Sequence, residues 1–360
     1  MLTSEIEAPA SEIQTIEIQA DSPGTAFDPR ALMRELNAFK DARSLRSLWE
    51  LAITLIPFLA LFTGILYAVQ AGYLAALALT PLAGLFLLRL FVIQHDCGHG
   101  AFFPSRSGND VLGRALGALT FTPYDCWKRA HALHHAATGN LDARGFGDVD
   151  TLTVREFYAR SRLGRFYYRF YRHPVVLLGI GPAYQFLLRH RVPAGMMKDG
   201  WSYWISAMAT NAATAAILAL LVWQFGFAVS AAVFFPVVLT AASVGVWLFY
   251  VQHQFEDAHW DSDENWSFHD AALFGSSYLE LPRVLRWFTA NIGIHHVHHL
   301  ASKIPFYRLP EVLKAYPGLK DLNRFTALQT VKTLRLALWD EGQRRLVSFR
   351  EASRLQLQAG

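Results

Sequence analysis

From Leu51 to Val69 the chain is apolar and uncharged, and after the polar break Gln70-Ala-Gly72 a second apolar run continues from Tyr73 to Ile93. A helix rises about 1.5 Å per residue, so about 20 residues cross a hydrocarbon core of about 30 Å. Each run is long enough to span, and the two read as a hairpin with a tight turn. The pattern recurs from Trp201 to Trp223 and from Phe227 to Val251, with Gln224-Phe-Gly226 as the turn. Pro236 is expected to kink the last helix. Asn211 and Thr214 are placed to hydrogen-bond a neighbouring helix, and Ala212-Ala213 permits close packing. Arg89 stands near the far end of the second run. A charge at mid-membrane costs at least about 2.5 kcal/mol, so Arg89 is expected to snorkel to the interface.

Outside the four runs the pattern changes. Val175 to Leu188 is apolar but short and interrupted by Gly179, Gly181 and Pro182, which suits a segment lying along a membrane surface. After Pro310, apolar residues at Phe325, Leu328, Val331, Leu334 and Leu338 alternate with Lys and Arg at helical spacing, predicting an amphipathic cover. The first 29 residues carry Glu5, Glu7, Glu12, Glu17, Asp21 and Asp28 with no basic start and no apolar core. That stretch is expected to be a disordered acidic tail and not a signal peptide. The expected fold is all-α: an integral membrane domain over 30–310, four spans in two hairpins, a helical cap, and an amphipathic tail over 311–360.

Composition agrees with a bilayer setting, since 52% of residues are hydrophobic and only 17% charged. The formal charge of +4 is small, and Lys and Arg lie between apolar runs instead of forming one stripe, so no nucleic-acid partner is expected. Neither hairpin turn holds a basic residue, whereas the segment between the hairpins is rich in them from Arg106 to Lys198. The positive-inside rule then puts both termini and the middle segment in the cytoplasm. Cys97 and Cys126 are the two cysteines, too few for a disulfide framework or a Cys-ligated zinc site.

Candidate chemistry lies in the histidines. His95 and His99 stand at i and i+4; His131, His134 and His135 at i, i+3 and i+4; and His295, His298 and His299 repeat that spacing. On helices each set projects from one face, while His296 points elsewhere. His253, at the end of the fourth run, is a ninth candidate ligand. All fall on the cytoplasmic side of the expected topology. Nine nitrogens exceed one coordination sphere and suit two metal ions with open positions, and imidazole ligation fits iron, copper, nickel or zinc. Other metal readings fail. No His-Glu-x-x-His motif occurs, Glu256-Asp-Ala-His259 is a lone Glu-x-x-His, and transmembrane haem would need histidines within the spans. Asp96, Asp148, Asp150 and Glu256 are candidates to orient ligand imidazoles. Asn291, four residues before His295, suits either a metal-bound water or a helix cap. Cys97 is expected to pack, Trp127, Trp260 and Trp266 to sit at the interface, and the isolated His173, His190, His259 and His269 to be ordinary surface or structural residues.

His95-Asp-Cys-Gly-His99, His131-Ala-Leu-His-His135 and His295-His-Val-His-His299, with two hydrophobic hairpins around them, resemble the histidine boxes of the integral-membrane fatty acid desaturases. Thr138-Gly-Asn-Leu-Asp142, Gly147-Asp-Val-Asp150 and Phe249-Tyr-Val-Gln-His-Gln-Phe-Glu256 are similar to stretches of bacterial acyl-lipid omega-6 (delta-12) desaturases. The resemblance implies a non-haem di-iron centre that uses dioxygen and two electrons to form a cis double bond in a membrane lipid acyl chain. It also implies a soluble electron donor, ferredoxin or a b-type cytochrome, and residence in a bacterial inner membrane. A related di-iron hydroxylase or ketolase acting on alkanes, carotenoids or sphingolipids is the alternative. A metal transporter would need ionisable residues along the spans, and these runs carry almost none.

Overall fold

The computed structural model describes residues 28–145 and 147–359. Of the expected acidic tail, 1–27 lie outside the described residues. Asp28 caps α1 (Pro29–Glu35), its carboxylate accepting from the Arg30 N–H at 2.9 Å. Two long apolar helices follow, α2 (Ser44–Gln70) and α3 (Thr80–His99), joined by a turn at Ala71-Gly72 and a narrower helical stretch over Leu74–Leu79. Gly100, with φ 67°, ends α3 in the left-handed conformation that only glycine adopts without strain. Then come α4 (Arg106–Leu119) and α5 (Tyr124–Ala137). The Tyr124 hydroxyl donates to the Cys97 carbonyl at 2.9 Å and ties the start of α5 to the end of α3.

After β1 (Leu152–Thr153) the chain forms α6 (Val154–Ala159), α7 (Arg162–Tyr171) and α8 (Gly181–Leu187) before the third long apolar element, α9 (Trp201–His253). Leu74–His99, α2 and α9 are each long and apolar enough to cross a membrane. At 53 residues α9 would be about 80 Å long if straight, far more than one crossing needs. Its backbone leaves helical geometry at Gly226 (φ 76°, ψ 161°), where a turn is expected, whereas Pro236 lies inside the helix. Near its start, the Asp125 N–H donates to Ser206 Oγ at 3.1 Å; at its end His253 meets His134. Gln70, at the far end of α2, reaches the Gln224 carbonyl at 3.4 Å. The element therefore runs away from the histidines, reverses at Gly226 and returns. A Cβ on Gly84 would lie 2.6 Å from Thr240 Cβ, so α3 and the returning half of α9 touch through a small residue. Thr214 meets its expectation by donating to the Ala118 carbonyl of α4 at 3.3 Å.

Arg89 does not snorkel. It is 1% exposed, ion-paired with Glu50 of α2, donates from Nε to Thr54 Oγ1 at 3.0 Å, and lies 4.1 Å from the Trp287 ring centroid. Glu50 and Thr54 stand one helical turn apart and face it together, so pairing replaces hydration.

Beyond α9 the chain continues through α10 (Phe268–Phe274), β2 (Tyr278–Glu280), α11 (Arg283–Phe288), α12 (His295–Leu300), α13 (Leu309–Ala315), β3 (Arg324–Thr326), α14 (Thr330–Thr333), β4 (Leu336–Asp340), β5 (Arg345–Ser348) and α15 (Phe349–Ala359). The protein is mostly helical but not all-α. β4 is the centre of a small sheet, parallel to β1 and antiparallel to β5, and β2 pairs parallel with β3. The single amphipathic pattern expected from Phe325 to Leu338 is divided among β3, α14 and β4. Leu336-Ala-Leu-Trp339 is a short unbroken apolar run flanked by partners on both sides, which suits a central strand as well as a helix turn. Packing decided between them.

Candidate metal centre

The last turn of α3 delivers His95 and His99, and α5 delivers His131, His134 and His135. His253 is the final residue of α9, and α12 carries His295, His298 and His299. All nine expected side chains meet in one place. His95, His99, His131, His135 and His298 form one group and His134, His253 and His299 another, the ligand nitrogens within each lying no more than 4.8 Å apart. His295 joins the second, its Nε2 3.0 Å from that of His253 and 3.1 Å from that of His299. The short helix α12 is fixed by its surroundings. The His295 and His296 N–H groups both point at the Ser277 carbonyl, and the residues before it turn through left-handed backbone at Ala290 (φ 47°) and Asn291 (φ 55°). Asn291 is a turn residue, its side-chain amide donating to the Phe306 carbonyl at 3.1 Å.

An imidazole nitrogen carries either one N–H or one in-plane lone pair, so it makes one good hydrogen bond. Nε2 of His131 nevertheless lies 3.0 Å from Nε2 of His99 and 3.1 Å from that of His135. Nε2 of His253 lies 3.2 Å from that of His134 and 3.0 Å from that of His295. Each of these central nitrogens faces two others, which hydrogen bonding cannot satisfy and a shared cation can. Two nitrogens bound at about 2.1 Å and at right angles on one ion stand about 3.0 Å apart, whereas tetrahedral ligands stand about 3.4 Å apart. The observed spacings suit imidazoles sharing one ion. His298 adds to the fit, because both its ring nitrogens are buried without a hydrogen-bond partner among the described residues.

Burial, and then neighbouring imidazoles, hold His131, His135, His295, His298 and His299 well below the ordinary histidine range. They are therefore neutral, the form that binds metal. Asp148 bonds Nδ1 of His134, and Asp96 faces Nδ1 of His95 at 3.4 Å while accepting from the Phe306 N–H at 2.7 Å. The other two acidic candidates do not act this way. Glu256 pairs with Arg345, and the carboxylate of Asp150 bonds no histidine among the described residues. His296 behaves as expected of the odd one out, donating Nε2–H to the Leu319 carbonyl at 2.9 Å, with burial pushing it down to about 4.

Beside the first group lies a cavity of about 660 Å³, walled by Leu87, Leu88, Phe91, Ala241, Ala242 and Gly245 and reaching His95, His131 and His295. Trp127 is part of that wall and stacks on His131 at 4.5 Å, so it belongs to the site. Its place four residues before His131 on α5 is the signal that sequence reasoning passed over. Trp260 is buried and stacks on Trp339 at 6.0 Å, and Trp266 donates Nε1–H to the Thr138 carbonyl at 3.0 Å. His190, which accepts from Gln185 Nε2 at 2.8 Å, belongs to neither histidine group. His173, His259 and His269 likewise stand apart from both.

The sequence model of the fatty acid desaturase family matches residues 71–323. A fatty acid desaturase of Bacillus subtilis (strain 168) is 40% identical over 327 residues, 90% of this chain and 92% of the relative. An sn-1 acyl-lipid omega-3 desaturase (ferredoxin) of Synechocystis is 28% identical, covering 66% of each chain. An sn-1 oleoyl-lipid 12-desaturase of the same organism is 27% identical over 67% of this chain and 70% of its own.

Proposed function

The chain belongs to the fatty acid desaturase family, and on that premise we propose that it forms a cis double bond in a lipid acyl chain at a histidine-held pair of iron ions. The observation that carries this reading is the convergence of nine imidazoles, in two groups, against a largely apolar cavity of about 660 Å³. An unactivated methylene has no acidic proton and no carbonyl, so acid–base groups alone cannot remove its hydrogens. Iron ions held by His95, His99, His131, His135 and His298, and by His134, His253, His295 and His299, would supply the oxidising power for dioxygen-dependent chemistry.

The remaining work falls to the protein. Leu87, Leu88, Phe91 and Gly245 shape an apolar wall for the chain, and Trp127 holds the His131 ring against it. Asp148 and Asp96 orient His134 and His95 through Nδ1. In the balanced reaction two electrons from a soluble donor and two from the paired C–H bonds reduce one dioxygen to two waters. Two of the water hydrogens come from the acyl chain and two from solvent protons. A ferredoxin or b-type cytochrome is the donor in this reading, supported by the ferredoxin-linked relative. We place the metal centre on the cytoplasmic side of a bacterial inner membrane with four crossings, two of them the halves of α9. Residues 30–310 serve as the catalytic domain and 311–360 as a covering segment. The double bond is assigned to the omega-6 (delta-12) position, which the stretches at 138–142, 147–150 and 249–256 and the oleoyl-lipid relative support.

Expression in a host that makes only saturated and monounsaturated lipids, followed by fatty-acid analysis, tests this. A new diene is expected. A double bond elsewhere would overturn the position, and hydroxylated or ketone products alone would overturn desaturation. Anaerobically purified protein should carry iron, and copper or zinc in its place would refute the metal.

A further inference from the structure

The outer face of α7 has no partner among the described residues. Leu163, Phe166, Tyr167 and Phe170 fall at i, i+3, i+4 and i+7 and are 61%, 62%, 60% and 53% exposed. The inner face is fixed. The Tyr168 hydroxyl donates to the Ala337 carbonyl at 2.6 Å and accepts from the Leu152 N–H at 3.0 Å, which docks the helix on β1 and β4. Arg162, Arg165 and Arg169 run along one edge of the exposed stripe at helical spacing. Arg165 lies 5.8 Å from the Tyr158 ring and Arg169 4.4 Å from the Phe349 ring, so the ridge is held in place.

The apolar surface continues along the chain. Val175, Ile180, Tyr184 and Leu188 are also exposed. Tyr171, Ile180 and Tyr184 line the same cavity that reaches His95 and His131. Arg191 pins the end of this segment to α9 through Asn211 at 2.9 Å. A stripe of large apolar side chains, edged on one side by cations and continuous with the surface of membrane-length helices, is the design of a helix lying in a lipid interface. We propose that α7 beds Leu163, Phe166, Tyr167 and Phe170 in the bilayer surface and gathers anionic phospholipid headgroups along Arg162 and Arg165, at the wall of the acyl cavity. Only the final clause rests on the cavity being the acyl site. A protein carrier would be expected to meet a polar rim around a compact apolar centre, whereas this stripe has cations along one edge and runs on past His173 and Pro174 into Val175 and Ile180.

The full chain, reconstituted in phosphatidylcholine nanodiscs with or without phosphatidylglycerol, is labelled with photoactivatable forms of each lipid, and the adducts are mapped by mass spectrometry. The peptide containing Phe166 and Phe170 should be labelled, by phosphatidylglycerol severalfold more than by phosphatidylcholine. Arg162→Gln/Arg165→Gln should bring the two yields together, each arginine near an anionic surface being worth about fivefold. An unlabelled peptide, or equal labelling in the unmodified protein, overturns the proposal. Protection of Arg162 and Arg165 from trypsin by an acidic electron carrier without anionic lipid also overturns it. Labelling needs no turnover, so a chain that forms no double bond yet labels as expected refutes the function and leaves the lipid face standing.

Discussion

His298 and His296 are two positions apart, and their surroundings demand opposite things of them. His298 is buried with neither ring nitrogen bonded among the described residues, whereas His296 donates to Leu319. His298→Ala should abolish activity and lower bound iron, and full activity with unchanged iron content would refute the assigned site. His296→Gln should keep its iron and lose about 1–3 kcal/mol of stability from an imperfectly satisfied carbonyl, read as a lower Tm. Asp148→Asn keeps the shape but weakens the orientation of His134, and a loss of about 10- to 100-fold in metal affinity or activity is expected, checked by metal titration. The separation of His296 from its neighbours was legible because 100° per residue turns it off the shared face. The fate of Arg89 was not, because its carboxylate partner is 39 residues away at a helix start that hydropathy does not mark.

Among the elements, the long apolar helices were legible from length and hydropathy alone, and α3, α5 and α12 from the histidine spacing itself. β1, β3 and β4 were not. Their residues pair with segments far along the chain, and a two- to five-residue apolar run carries too little periodicity to separate strand from helix. The reversal inside α9 depends on one residue. Gly226 adopts a positive φ with extended ψ, a conformation costly to any side chain, although open space surrounds it. Gly226→Ala should therefore cost about 1–3 kcal/mol through the backbone alone, seen as a lower Tm with the metal centre spectroscopically unchanged.

On the scale of the whole molecule, the candidate metal site is a convergence of four helices that closes over buried imidazoles. An unfolded histidine takes up a proton near pH 6.5, whereas the buried His131, His135, His295, His298 and His299 resist protonation until well below it. As pH falls through that window the unfolded state binds more protons than the folded one, so stability of the metal-free protein should fall with it and be flat above. A Tm series from pH 8 to 5 checks the sign, and stability that rises on acidification would contradict it. Bound metal should be released over the same acid range.

Glu50 and Arg89 are buried opposite charges on the two arms of the first hairpin, and Trp287 lies over the guanidinium from a region made much later. During synthesis α2 emerges first, its Glu50 already paired with Arg46 of the same helix at 2.6 Å, whereas Arg89 follows on the second arm and depends on the first arm for its carboxylate. Arg89 is uncomfortable in lipid without Glu50, so the two arms should leave the translocation machinery together as one hairpin. The pair would then wait, closed but unroofed, until α11 arrives to seal it.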